Sequence, residues 1–184
     1  MAAIKFARTV TKLIGWKRIG AFHGQPKLVV IAAPHTSIMD FVMGWLGLHG
    51  FGIRAQFIIK KEFFFFPVGP IIRALGAIPV KRGDRNNDMV SQMVKHFKER
   101  DSFYLVITQE GTRKKVKKWK KGFYQIAMQA GVPIVVSVVD YGKKQMGPVA
   151  EFIPSGDYDK DMKFIKECYT GITAKYPENF TNAE

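Results

Sequence analysis

Cysteine is nearly absent. Cys168 is the only one in 184 residues, so no internal disulfide can form and nothing points to an oxidising compartment. With no second cysteine and no histidine beside it in KFIKECYTGI, it reads as a small, partly buried apolar residue. Acids are short as well: 15 Asp and Glu face 29 Lys and Arg, a formal charge of +14. Such a surface carries a strong positive field and favours an anionic partner, whether nucleic acid, anionic lipid or a phosphorylated ligand. Long apolar runs are missing too. A membrane-spanning helix needs about 18 or more nearly uncharged residues, whereas FVMGWLGLHGFGI is closed by Asp40 and Arg54, and FFFFPVGPII holds two prolines between Glu62 and Arg73. The opening stretch MAAIKFARTVTKLIGWKRIG lacks the unbroken apolar core and small-residue cleavage site of a signal peptide. No internal repeat, low-complexity tract or metal-ligand spacing is visible, so no metal is expected, and any contact with a membrane is expected from the side.

What is present is a globular composition, 47% hydrophobic and 24% charged, on a chain of the length of one compact domain. Residues 2 to 16 set Ile4 or Phe6, Val10, Leu13 and Ile14 at helical spacing with Lys5, Arg8 and Lys12 outside that stripe. This basic amphipathic helix, residues 1–20 of the domain organisation, either packs its apolar face on the domain or lies among anionic head groups with Trp16 and Lys17 at the boundary. Residues 21–184 form the main domain. LVVIAA at 28 to 33 reads as a buried strand ended by Pro34, with further strands at 56 to 60, 77 to 80, 103 to 107 and 133 to 139. Helical patterns intervene. NDMVSQMVKHFKER can be capped by Asn87 or Asp88, and KGFYQIAMQAG ends at Gly131. Alternation of this kind predicts an α/β fold, a single domain with a central, largely parallel mixed sheet flanked by helices.

In IAAPHTSIMD, His35 stands five positions ahead of Asp40. Within one helix they would sit roughly 140° apart. They can meet if His35 lies on a strand-to-helix loop and Asp40 in the first turn, which Pro34 and an N-cap at Thr36 or Ser37 permit. The stretch Ser37-Ile38-Met39-Asp40 also fits a capping box, in which Asp40 only satisfies backbone donors. His23, His49 and His96 have no carboxylate at a suggestive spacing and read as structural or solvated.

Three further stretches follow APHTSIMD in order: GAIPVKR at 76 to 82, QEGTRKK at 109 to 115 and GVPIVV at 131 to 136. With the spacer KKEFFFFPVGPIIRALG, these four blocks resemble the glycerolipid acyltransferases, the family of 1-acylglycerol-3-phosphate acyltransferase. The resemblance spans roughly residues 28 to 140. It implies transfer of a fatty acyl group from an acyl-CoA or acyl-carrier-protein thioester to a lysolipid, with His35 as general base and Asp40 fixing its tautomer. A neutral imidazole is a suitable base near neutral pH, and the acceptor hydroxyl replaces serine in the triad logic. It further implies acceptor binding by Glu110, Gly111, Thr112 and Arg113, with Arg113 on a phosphate, and Arg82 and Lys81 as second-block contacts. No cofactor beyond the thioester co-substrate is implied. The chain departs from the family pattern at Thr108 and Gln109, where Phe and Pro usually precede the glutamate, and at Val136-Ser137, where a second proline is common.

The run RKKVKKWKK at 113 to 121 is either a solvated face or, beside the substrate block and with a tryptophan inside it, a surface for anionic head groups. FFFF at 63 to 66 is core, an acyl-chain lining or a lipid contact. The resulting expectation is a cytoplasmic enzyme held peripherally on the inner face of the cell membrane. Acyl transfer to an amine or another lipid hydroxyl is the alternative within the same chemistry. A nucleic-acid-binding protein is the alternative outside it, although no common nucleic-acid motif is visible.

Overall fold

The computed structural model describes residues 2–80 and 89–181. In chain order the elements are α1 (Ala2–Leu13), β1 (Lys17–Arg18), β2 (Lys27–Ala33), α2 (Ile38–Gly50), β3 (Gln56–Lys60), α3 (Val68–Ala74), β4 (Ala77–Val80), α4 (Met89–Glu99), β5 (Phe103–Ile107), α5 (Gly122–Ala130), β6 (Ile134–Asp140), β7 (Gln145–Phe152) and α6 (Tyr158–Cys168). The strands make one seven-stranded sheet in the order β1-β7-β6-β2-β5-β3-β4. All neighbours are parallel except β6 and β7.

The central strand β2 is apolar at almost every position because both its faces are covered, as parallel strands require. Val29, Ile31 and Ala33 face a core built with Met93, Phe97, Phe123, Ile126 and Ile165 of α4, α5 and α6. Leu28 and Val30 face the other way, toward Phe22 and Tyr104. That second face also carries α2, whose Leu48 shares Phe22 and Tyr104, and α1, whose Ala7 packs with Met43 and Leu46. The fold is therefore the layered α/β arrangement that the alternation predicts.

The structure differs from the sequence reading in several places. The apolar stripe of α1 is divided: Ala7 and Thr11 are buried against α2, while Phe6 and Leu13 point outward at 60% and 80% exposure. Small residues let α1 approach α2 closely, and the larger ones are left outside. β7 reads poorly as a strand because it contains Gly147 and Pro148. The β6–β7 ladder shifts register between Val136 and Ser137, and Pro148 sits opposite Ser137 at that irregularity, where a missing donor is tolerated. Gly147 is required because β1 comes so close that an added Cβ would fall 2.1 Å from the Ile19 carbonyl oxygen. At the opposite edge, Pro79 lies within the four-residue β4. The caps proposed at Asn87 or Asp88 lie outside the described residues. Among the described residues, no helix is long and apolar enough to cross a membrane.

Candidate active site

β2, β5 and β6 are adjacent and parallel, so the loops that follow them emerge side by side at one edge of the sheet. From β2 the chain passes into α2 on one face, and from β5 into α5 on the other. Between two such strands a crevice opens at their carboxyl ends, the usual ligand position in open α/β sheets. His35 lies on the loop after β2, Glu110 to Arg113 lie after β5, and Tyr141 follows β6.

Ser37 is the N-cap of α2 and Asp40 its third residue, so the capping box is formed. Asp40 Oδ2 accepts the backbone N–H of Thr36 at 2.5 Å and of Ser37 at 2.7 Å. The backbone N–H of Tyr176 donates to Thr36 Oγ1 at 3.2 Å and ties the C-terminal segment to this loop. Capping consumes only one carboxylate oxygen. Asp40 Oδ1 is buried without a hydrogen-bond partner among the described residues, so an acceptor is left for the imidazole next to it. His35 is partly exposed, and Asp40 and Arg113 both act on it electrostatically. Burial lowers the imidazole pKa below its ordinary value; the Asp40 charge raises it and that of Arg113 lowers it further. The net direction keeps the ring neutral near pH 7, which is the form a base requires.

Glu110 is buried, at 4% exposure, and accepts a hydrogen bond from the His35 backbone N–H. Burial pushes its carboxyl up to about 8, opposed by that hydrogen bond and assisted by the charge of Asp40. Near neutrality it therefore holds its proton, which avoids a second negative charge beside Asp40 and leaves a potential donor. Its Oε2 has no partner among the described residues. Gly111 adopts φ +65°, and an added Cβ would fall 2.7 Å from Lys120 Cε, so only glycine lets that lysine lie across the loop. The Lys120 backbone N–H donates to the Gln109 carbonyl at 2.8 Å and fixes the fold-back. Thr112 and Arg113 are exposed, and Thr112 Oγ1 accepts the Lys114 N–H at 3.3 Å.

The structure thus brings together His35, Asp40, Glu110, Gly111 and Arg113; Lys81 and Arg82 lie outside the described residues. Two neighbours escaped the sequence reading. Lys120 belongs beside Gly111 rather than to a uniformly solvated run. Tyr141 turns its buried hydroxyl toward Asp40 yet meets no partner in hydrogen-bonding geometry; burial first, then its interaction with that carboxyl, raise its pKa. The basic run also needs correction. Trp119 is only 7% exposed and packs edge-on to Tyr169 at 5.7 Å, so it belongs to the core and not to a lipid-facing surface. Lys121 Nζ stands 4.2 Å over the Tyr158 ring. Among the described residues, no group of three or more His, Cys, Asp or Glu is placed to hold a metal.

A partly exposed neutral imidazole beside a buried carboxylate, at the carboxyl edge of an open α/β sheet, has the makings of a base-assisted group-transfer site. The family model described as Acyltransferase matches residues 22–139, more than half of the chain, and the chain belongs to that family. Its fold is similar to that of the 1-acyl-sn-glycerophosphate (LPA) acyltransferase PlsC from Thermotoga maritima, with 21% sequence identity and a TM-score of 0.65 over 90% of this chain and 74% of that one. No curated protein matches the chain.

Proposed function

We propose that the chain transfers a fatty acyl group from an acyl-CoA or acyl-carrier-protein thioester to the hydroxyl of a lysophospholipid such as 1-acylglycerol-3-phosphate. The observation that carries this reading is the placement of His35 on the loop after β2, partly exposed, with the buried carboxylate of Asp40 at the start of α2 and Arg113 on the loop after β5 both acting on its ring. Family membership supports the acyl transfer, and the similarity to PlsC supports the choice of acceptor.

In this mechanism the acceptor hydroxyl loses its proton to His35 as its oxygen attacks the thioester carbonyl. Asp40 stabilises the imidazolium that forms, and the tetrahedral intermediate collapses to the ester. The departing thiolate takes the proton back from His35, so the products are ester and free thiol and no acyl-enzyme is needed. Arg113 offers a planar fork for the acceptor phosphate. Its charge also disfavours early protonation of His35.

The reading places the enzyme at a membrane surface. Ile38, Met39 and Val42 at the start of α2 are exposed, as are Phe63, Phe65 and Phe66, the last at 87%. The exposed lysines at 114, 115, 117 and 118, which pair with no carboxylate among the described residues, add the positive charge that an anionic lipid interface on the cytoplasmic side would favour. The test is incubation with mixed acyl-CoAs, acyl carrier proteins and lysolipids, followed by mass spectrometry of the products. Phosphatidic acid or a close diacyl relative is the expected product. Acylation confined to an amine or an uncharged alcohol would move the acceptor, and absence of any acyl transfer would overturn the reading.

A further inference from the structure

A cleft of about 470 Å³ opens where α1 turns into β1. Gly15, at φ +74°, reverses the chain there, with the Trp16 N–H returning to the Thr11 carbonyl at 2.8 Å. The turn brings Lys17 and Arg18 back alongside Arg8 and Lys12, and all four cations line the cleft around Trp16. None pairs with a carboxylate among the described residues, where the ion pairs are His23–Glu151 and Lys95–Glu99.

Two of the cations are already oriented. Arg18 Nη1 donates to Thr11 Oγ1 at 2.6 Å, and that fully buried threonine donates to the Ala7 carbonyl at 2.9 Å. Arg8 Nε donates to the Gly50 carbonyl at 2.9 Å. Each guanidinium is held by one nitrogen, and among the described residues its other nitrogens make no further hydrogen bond. The carbonyl end of α1 favours a cation, but that effect fades beyond the last turn and does not account for four. Like charges crowded without a counter-ion destabilise one another, and a bound anion relieves that cost. Two anchored planar forks flanked by the ammonium groups of Lys12 and Lys17 match the oxygens of a phosphate, with Trp16 as an apolar wall.

We propose that this cleft is a binding site for a phosphomonoester group, carried either by a lipid head group or by a soluble ligand. The site stands apart from the acyl-transfer reading, and its test is binding rather than turnover. Trp16 stacks edge-on to Tyr141 at 5.0 Å, so an occupant of the cleft would sit two side chains from Asp40.

The full chain is titrated with inorganic phosphate while tryptophan fluorescence is followed, and Trp16→Phe identifies the local signal. A saturable response is expected that chloride at equal ionic strength does not reproduce. Lys12→Gln with Lys17→Gln should weaken it by about tenfold to a hundredfold, the scale of losing two charge-assisted hydrogen bonds. Lys160→Gln with Lys163→Gln removes the same net charge elsewhere, at exposed positions of α6, and should leave it nearly unchanged. Phosphatidylcholine vesicles are then doped with phosphatidic acid or, at equal surface charge, with phosphatidylglycerol. A preference for phosphatidic acid that the Lys12 and Lys17 pair of changes abolishes assigns the lipid source. A phosphate response without that preference assigns the soluble one. If chloride reproduces the response, or if the two pairs of variants weaken it equally, the proposal is overturned.

Discussion

At the carboxyl ends of β2 and β5 the charged groups include buried acids; around the end of α1 and along residues 113 to 121 they are mostly exposed bases. The two regions treat charge in opposite ways. Asp40, Glu110, Asp140 and Asp161 are all buried, and each takes a backbone N–H: Asp40 from Thr36 and Ser37, Glu110 from His35, Asp140 from Gly142 and Lys143, and Asp161 from Ser155. These four acids are thus committed to loops and to the ends of the strands, unlike Glu99, which pairs with Lys95 at the surface. The positive field outside follows from the excess of 29 Lys and Arg over 15 Asp and Glu, and burying four of those acids adds to it.

The largest test of the contrast separates Asp40 as a cap from Asp40 as a partner of His35. His35→Ala should lower turnover by about 10²–10⁴-fold with an unchanged melting temperature, the scale of losing a positioned base. Asp40→Asn should come close to that. Ser37→Ala should cost about 1 kcal/mol of stability, as lost caps do, and spare most of the turnover. Equal catalytic damage from Ser37→Ala and Asp40→Asn would reduce Asp40 to its capping role.

Next in size, Arg113→Ala should raise the apparent KM for lysophosphatidic acid by roughly tenfold to a hundredfold and leave that for the thioester in place, as loss of one charge-assisted contact predicts. If both constants move together, the arginine serves the donor as well.

The buried acids make a pH prediction. Turnover should persist below the ordinary titration of histidine, because the His35 pKa is lowered, and should fall as Glu110 ionises near about 8. Glu110→Gln should remove the alkaline fall. The folded chain holds the Glu110 proton above the carboxyl's ordinary value of 4.5, so the stability tied to it is complete below that pH and is lost as pH rises through about 8. Melting temperature measured across this window should decline in the wild type and decline less in Glu110→Gln.

The smallest effect concerns Tyr141. Its change to Phe should lower turnover only a few-fold, because its hydroxyl faces Asp40 without a formed hydrogen bond to lose. The acid limb should move to higher pH, because the Asp40 charge would act on His35 with less compensation. A drop in turnover without that movement would leave the tyrosine as packing against Trp16.

Much of the sheet was legible because its strands are short apolar runs, rich in β-branched residues, of which β2 and β6 are buried along nearly their whole length. LVVIAA, QFIIK, AIPV and FYLVI all fall within a residue of the observed strands. What failed did so for identifiable reasons. QMGPVAEF looks like a loop until the register shift in its partner makes room for Pro148. α6 buries chiefly Met162 and Ile165 and otherwise reads as polar chain. In the site, His35 and Asp40 share one short stretch, so local chain geometry was enough to consider them together. Tyr141 and Lys120 reach the same place through strand order and a loop that folds back, neither of which leaves a mark on neighbouring residues.

The margins of the sheet bear on what the molecule avoids. A strand edge with unpaired backbone groups is a template for another chain. Here one margin ends in the two-residue β1, clamped against Gly147, and the other in β4, where Pro79 has no N–H to offer. Beyond the two residues that β1 covers, β7 is interrupted by Pro148, and among the described residues β4 is only four residues long, so neither margin offers a long uninterrupted ladder to a second copy. Gly147→Ala would push β1 away from β7 and uncover Gln145 and Met146 as well, lengthening the open part of that margin toward a seed for aggregates.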